Sequence, residues 1–137
     1  MGADAAKTAR RILVIDDDVD IAGVLKEYLE SRPSTVFTVE TAPNAKEGLA
    51  AAHRHRPDLV ILDIEMPGMN GMEALKELRR LYEGIPVIML TGNTKVSVAA
   101  ETLVHGASSY APKPLDFRYL EHLVTAFLPN PRPKPTT

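Results

Sequence analysis

Three runs of four consecutive apolar residues constrain this chain more than anything else in it: residues 12–15 (ILVI), 59–62 (LVIL) and 87–90 (VIML). Runs this short and this uniformly apolar, bounded by polar and turn-forming residues, read as strands covered on both faces. Each ends at a polar residue. Asp16 and Asp17 follow the first, Asp63 the second and Thr91 the third. Between the runs the period changes. Ile21, Val24, Leu25, Tyr28 and Leu29 fall at helical spacing after Asp18 and Asp20, whose charge suits a helix start. Val36, Phe37 and Val39 mark another strand. Pro43-Asn44 opens a second helix, Asn44 and Glu47 resemble a capping box, and Pro57 stops it after His53, His55 and Arg56. Asn70-Gly71 leads into a helix carrying Met72, Leu75, Leu78 and Tyr82, ended by Gly84. A fourth, weaker helix runs roughly over 95–105 and ends at Gly106, followed by a short strand at 109–111. Asp116 caps a last helix with Leu120, Leu123, Val124, Phe127 and Leu128 on one face, and Pro129 ends it.

Five strand–helix repeats imply an α/β fold: a doubly wound, five-stranded parallel sheet with helices on both faces. Ligand sites in such folds lie at the carboxyl ends of the strands, where strand order reverses. Asp16, Asp17, Asp63, Thr91 and Lys113 all fall at or just past predicted strand ends, so residues far apart in sequence converge on one edge.

Bulk properties narrow the function classes. The 137 residues suffice for one domain, residues 11–128, between a flexible leader (1–10) and a Pro-rich tail or linker (129–137). With a net charge of -2, composition makes no case for direct binding of nucleic acid or an anionic membrane. No cysteine is present, which excludes disulfides and thiolate metal sites. No apolar stretch approaches the ~18–20 residues of a membrane span, and 1–11 has no signal-peptide core. A cytoplasmic protein is expected.

The converging acids carry chemistry. Two like charges ~4 Å apart repel by about 4 kcal/mol at an effective dielectric of 20, so three carboxylates need a cation or raised pKa values. Oxygen-only ligands at an open edge favour Mg²⁺, which is held by one or two carboxylates and a phosphate. Phosphoryl transfer asks mainly for positioning and charge neutralisation. Asp63 can serve as nucleophile, Lys113 as a mobile cation and Thr91 as a hydroxyl donor, while Gly92 leaves room for phosphoryl oxygens.

The segments Ile12-Leu13-Val14-Ile15-Asp16-Asp17-Asp18, Leu62-Asp63-Ile64-Glu65-Met66-Pro67-Gly68, Met89-Leu90-Thr91-Gly92 and Tyr110-Ala111-Pro112-Lys113-Pro114 together resemble the receiver domain of two-component response regulators, the chemotaxis-regulator-like, flavodoxin-like (βα)5 fold. Each motif is weak alone; four in the right order at the right strand ends are specific, and the resemblance spans about residues 10–128. It implies that Asp63 is the phosphoacceptor. Asp16, Asp17, Asp63 and the Glu65 backbone carbonyl would hold Mg²⁺ (or Mn²⁺). Thr91 would be the switch hydroxyl, with Gly92 beside it, Lys113 the phosphoryl-pairing lysine and Tyr110 the switch aromatic. Glu65 and Asn93 would tune dephosphorylation, and the Lys113-Pro114 bond would be cis. The implied partners are a sensor histidine kinase or histidine phosphotransfer protein and a downstream effector protein. The chain would catalyse only its own phosphorylation and dephosphorylation. The phosphorylated form would remodel the surface of the fourth helix, fifth strand and fifth helix, with a phosphorylation-dependent homodimer as one outcome.

Some residues invite plainer readings. Asp18 is expected to cap a helix. Pro112 lacks an N–H, which puts strand pairing there in doubt. His53 and His55 suit a helix C-terminus, and His105 and His122 read as solvated helix residues. Two other functions compete. A haloacid-dehalogenase-type phosphohydrolase would place its nucleophile on the first strand in a D-x-D-x-[TV] pattern; Asp16 and Asp18 fit, but Asp20 stands at the Thr/Val position. A degenerate receiver would act only as a docking module. No DNA-binding segment follows residue 128, which leaves a single-domain regulator or a receiver cut from a longer chain.

Overall fold

The structure, a computed structural model, describes residues 9–33, 35–92 and 96–128. The expected leader (apart from 9 and 10) and the expected tail lie outside the described residues. Five parallel strands form one sheet in the order β2-β1-β3-β4-β5: β1 (Arg10–Ile15), β2 (Phe37–Ala42), β3 (Leu59–Asp63), β4 (Val87–Thr91) and β5 (Ser109–Pro112). The helices are α1 (Val19–Glu30), α2 (Ala45–Arg54), α3 (Gly71–Leu81), α4 (Val96–Val104) and α5 (Phe117–Phe127). This is the doubly wound sheet read from the sequence.

Strand alternation divides the core in two. Leu13 and Ile15 of β1, with Val60, Leu62, Val87 and Met89, pack against Ala51 and Ala52 of α2 and Leu75 and Leu78 of α3. Ile12 and Val14, with Leu59, Ile61, Ile88 and Leu90, pack against Leu25 and Leu29 of α1 and Leu120 and Val124 of α5. The central strands carry unbroken apolar runs, 12–15, 59–62 and 87–90, because both faces are covered there. Edge strand β2 alternates instead, with Phe37 and Val39 inward and Thr38 exposed. It starts at Phe37, one residue after the expected Val36, which is exposed.

Local chemistry sets the helix starts. The Asp18 side chain caps α1 by accepting from the Ile21 N–H at 3.1 Å. Asp116 caps α5 by accepting from Arg118 and Tyr119. At α2, Asn44 accepts from the Glu47 N–H, but the Glu47 carboxylate bonds the Asn44 side-chain amide rather than its backbone, so only half of the expected capping box forms. The complete box is at α3, where Asn70 and Glu73 each accept from the other's backbone N–H.

Three sequence expectations need correction. The buried face of α1 is Ala22, Leu25 and Leu29, whereas Ile21 and Val24 are 37% and 52% exposed. The 3.6-residue period fixes a stripe but not which edge of it meets the sheet, and small Ala22 allows the closer approach. On α3 the buried residues are Gly71, Ala74, Leu75 and Leu78, with Met72 only half-buried, and the helix ends at Leu81 before Gly84. Pairing of β5 does not fail at Pro112. Pro112 lies opposite Thr91, and the Lys113 N–H donates to the Thr91 carbonyl at 2.8 Å. A missing N–H is tolerated because β5 is an edge strand. The fourth helix begins at Val96; the expected start at Lys95 lies outside the described residues.

Candidate functional site

Chain order reverses at β1 and β3. The chain crosses from β1 to β2 on one side and returns to β3 on the other, so the ends of β1 and β3 open side by side. Asp63 is the last residue of β3 and is fully buried. One oxygen, Oδ1, accepts from the Glu65 N–H at 3.1 Å; the other, Oδ2, accepts from Lys113 Nζ at 2.9 Å. Asp16, one residue past β1, is buried, and its Oδ1 accepts from the Asp18 N–H at 2.9 Å. Asp17 beside it is exposed. Asp16, Asp17 and Asp63 each bring a carboxylate oxygen within 4.8 Å of the others.

Burial pushes the Asp63 carboxyl up from 3.8 to about 7; the Lys113 hydrogen bond opposes this and the neighbouring Asp16 adds to it. Burial pulls the Lys113 ammonium down, but the hydrogen bond and charge of Asp63, with Asp16 and Glu65, outweigh it and hold the lysine above its ordinary value. A buried carboxylate, a second one beside it and a single lysine leave an excess of negative charge. An all-oxygen donor set in that state fits a hard divalent cation such as Mg²⁺.

Gly71, the first residue of α3, lets that helix approach the end of β3. A Cβ there would lie 2.2 Å from the Asp63 carbonyl oxygen and 2.6 Å from the Ile64 Cα. Its N–H donates to the Ile64 carbonyl at 2.9 Å, which fixes the loop that follows Asp63. The turn at Gly68 uses a positive φ of 76°.

Thr91 ends β4 one residue beyond the Asp63–Leu90 register pair and is buried. Its hydroxyl donates to Glu65 Oε2 at 3.1 Å, and the Gly92 N–H donates to Glu65 Oε1 at 2.9 Å. The fold therefore gathers Asp16, Asp17, Asp63, Glu65, Thr91, Gly92 and Lys113 at one edge. Tyr110 lies in β5 opposite Met89 and is 39% exposed. The Lys113-Pro114 peptide is cis, as expected. Asn93 lies outside the described residues. His53 and His55 sit at the end of α2 and His122 on an exposed position of α5, as read; His105 follows α4 and is half-buried.

Sequence reasoning missed two features. The Glu65 side chain is bonded to Thr91 and Gly92; an acid two residues after a strand-end acid was the available signal. Gly71 is a packing requirement rather than only a helix opener, and no one-dimensional pattern marks that contact.

Comparison with known proteins bears on these geometries. The family model described as the response regulator receiver domain matches residues 12–125. A protein-glutamate methylesterase/protein-glutamine glutaminase of Nocardioides sp. is 36% identical over 126 residues, covering 88% of this chain and 34% of the relative. The DNA-binding transcriptional regulator NtrC of Salmonella typhimurium is 37% identical over 105 residues, covering 77% of this chain and 22% of the relative. The chain thus spans about a third or less of these curated relatives. Among solved structures, the chemotaxis protein CheY4 of Vibrio cholerae superposes with a TM-score of 0.81 at 30% identity, covering 88% of this chain and 99% of that one. Among the described residues, no helix is long and apolar enough to cross a membrane. Strand order, strand-end acids, the lysine on Asp63 and these matches agree, and the chain belongs to the receiver domains of two-component response regulators.

Proposed function

We propose that Asp63 accepts a phosphoryl group from a phosphohistidine of a sensor kinase or phosphotransfer protein, and that this chain uses the modification as a signalling switch. The carrying observation is the Asp63 carboxylate, buried at the end of β3 and gripped between the Glu65 N–H and Lys113 Nζ. In the transfer the P–N bond of the donor breaks and a P–O bond to Asp63 forms. Lys113, already on Oδ2, shifts its hydrogen bond toward a phosphoryl oxygen and balances part of the added charge. Asp16, Asp17, the Asp63 carboxylate and the Glu65 carbonyl would hold Mg²⁺ or Mn²⁺, which supplies charge neutralisation at the transferring group.

After transfer, Thr91 turns its hydroxyl to the phosphoryl group and Tyr110 moves into the space this leaves. A two-state equilibrium shifts, and the α4–β5–α5 surface changes. Leu103, Val104, Tyr110 and Tyr119 are exposed on that surface, which suits an effector protein or a second copy of the chain. Ile21 of α1 lines an open hollow of about 140 Å³ with Asp16, Lys113 and Leu115, and Val19 and Val24 are exposed on the same helix. That neighbourhood suits the approach of a protein donor. Water later cleaves the acyl phosphate, at a rate that Glu65 and Asn93 would tune.

On this reading the receiver unit is residues 11–128, with leader and tail to either side, and it works in the cytoplasm. It catalyses only its own phosphorylation and dephosphorylation and does not itself contact nucleic acid. The phosphohydrolase reading gains no support, since the lysine pairs with the acid of β3 rather than with the β1 acids. The docking-only reading leaves the complete acidic group without a use. Acetyl phosphate with Mg²⁺ should add one phosphoryl mass to the protein and none to Asp63→Asn. A modified Asp63→Asn variant, or an unmodified parent, would overturn the assignment.

A further inference from the structure

The Glu65 side chain makes two contacts that matching it to a phosphoacceptor loop does not explain. Its two carboxylate oxygens take separate donors at the end of β4: the Thr91 hydroxyl at 3.1 Å and the Gly92 N–H at 2.9 Å. Its own N–H is bonded to Asp63 Oδ1. Glu65 thus ties the nucleophile to the donor pair, backbone at one end and carboxylate at the other. A hydroxyl and an adjacent amide converging on two oxygens of one anion form an anion grip of the kind a phosphoryl group uses. Asp63 and Leu90 are register partners, so the grip opens one residue along from the place where a phosphoryl group on Asp63 would stand.

We infer that the Glu65 carboxylate is a built-in substitute for the phosphoryl group: it occupies the Thr91 and Gly92 donors in the resting protein and must be displaced for the switch to turn. This rests on the proposed phosphorylation of Asp63 and adds a competitor to it. A dianionic phosphoryl group and the Glu65 carboxylate cannot share these donors without like-charge repulsion. Glu65 is exposed, so once released its carboxylate swings into water without a buried-charge penalty. Glu65 then acts as a positioning residue. It holds Thr91 in the resting arrangement and sets how strongly an anion on Asp63 must bind to shift the population.

Charge and reach separate this role from simple electrostatics. Glu65→Asp keeps the charge but shortens the side chain by one methylene, which takes the carboxylate out of reach of both donors. Glu65→Gln keeps the reach and removes the charge. The experiment titrates beryllofluoride, a phosphoryl mimic, with Mg²⁺ into the parent, Glu65→Asp, Glu65→Gln and Glu65→Ala, following backbone amides by NMR. Displacement predicts that Glu65→Asp and Glu65→Ala bind roughly three- to tenfold more tightly than the parent, a span of up to ~1.4 kcal/mol. It also predicts that, with no beryllofluoride added, their Gly92 amide signals already lie part of the way to the bound position. A parent-like Glu65→Asp would reduce the effect to charge and overturn the inference, as would unmoved Gly92 signals in all three variants. If the parent itself does not respond to beryllofluoride, the phosphorylation reading fails instead, so the two failures are distinct.

Discussion

Lys113 Nζ lies 2.9 Å from Asp63 Oδ2, although the two residues are 50 positions apart and β4 stands between their strands. The lysine reaches across because β5 continues through Pro112 and the Lys113 N–H closes on the Thr91 carbonyl. The same backbone contact that extends the edge strand therefore sets the position of the cation at the site. Asp63 is fully buried while the Lys113 side chain is 32% exposed, so the pair is asymmetric: the acid depends on the lysine more than the lysine on the acid.

Lys113→Met should consequently leave Asp63 without its counter-charge. At pH 8, where the acid is ionised, the loss should destabilise the protein by about 1–3 kcal/mol, below the usual figure for a broken buried pair because Asp63 can take up a proton. At pH 5.5 the acid is largely protonated in both proteins and the difference should shrink to a fraction of that. Urea denaturation at the two pH values measures it; equal losses at both would mean that packing of the lysine stem, not its charge, is what matters.

The raised Asp63 pKa has its own consequence for stability. A carboxyl group lifted by burial from 3.8 to about 7 favours the folded state most below its unfolded pKa, and this contribution is lost as pH climbs through about 7. In the presence of a chelator, Asp63→Asn should therefore be more stable than the parent at pH 8, by at most ~4 kcal/mol, and the gap should close as pH falls toward 4. Lys113, held above its ordinary value, contributes in the same way throughout this window and loses its contribution only at far higher pH. Thermal melts of both proteins between pH 4 and 8 test the slope, and a gap independent of pH would remove Asp63 as the titrating group.

Divalent cations should act on the same excess charge. Millimolar Mg²⁺ should raise the melting temperature of the parent and flatten its pH slope; at a hundred times the dissociation constant the gain is about 2.7 kcal/mol. Asp17→Asn should lose most of the Mg²⁺ effect while keeping its metal-free stability within about 0.5 kcal/mol, since Asp17 is exposed. A full Mg²⁺ response in Asp17→Asn would remove that residue from the ligand set.

The strand-end positions of Asp16, Asp63, Thr91 and Lys113 were legible because continuous apolar runs mark buried parallel strands and polar residues mark where they stop. The half-box at Asn44 and the full box at Asn70 were not distinguishable, since both show an acid three residues on and side-chain orientation decides between them. The exposed Ile21 and Val24 escaped for a related reason: periodicity gives a helix face only to within its own width. The Glu65 contacts to Thr91 and Gly92, 26 and 27 residues further along the chain, join the loop after β3 to the end of β4. Such a contact depends on β3 and β4 lying side by side, which the order of elements suggests but a spacing rule does not encode.

Two glycines should respond in opposite ways to the same substitution. A Cβ at Gly71 would fall 2.2 Å from the Asp63 carbonyl oxygen and 2.9 Å from the Asp63 carbonyl carbon, both backbone atoms that cannot swing aside. Gly71→Ala must push α3 away from the end of β3, with an expected loss of about 1–3 kcal/mol and slower modification by acetyl phosphate, because the Asp63 loop moves with it. Gly23, by contrast, is an exposed residue inside α1 where an added Cβ meets nothing within 4 Å. Gly23→Ala should stabilise the protein by about 0.5–1 kcal/mol, because alanine loses less backbone freedom on joining a helix. Chemical denaturation of the two variants beside the parent gives both signs, and a neutral Gly71→Ala would show that α3 does not hold the Asp63 loop in place.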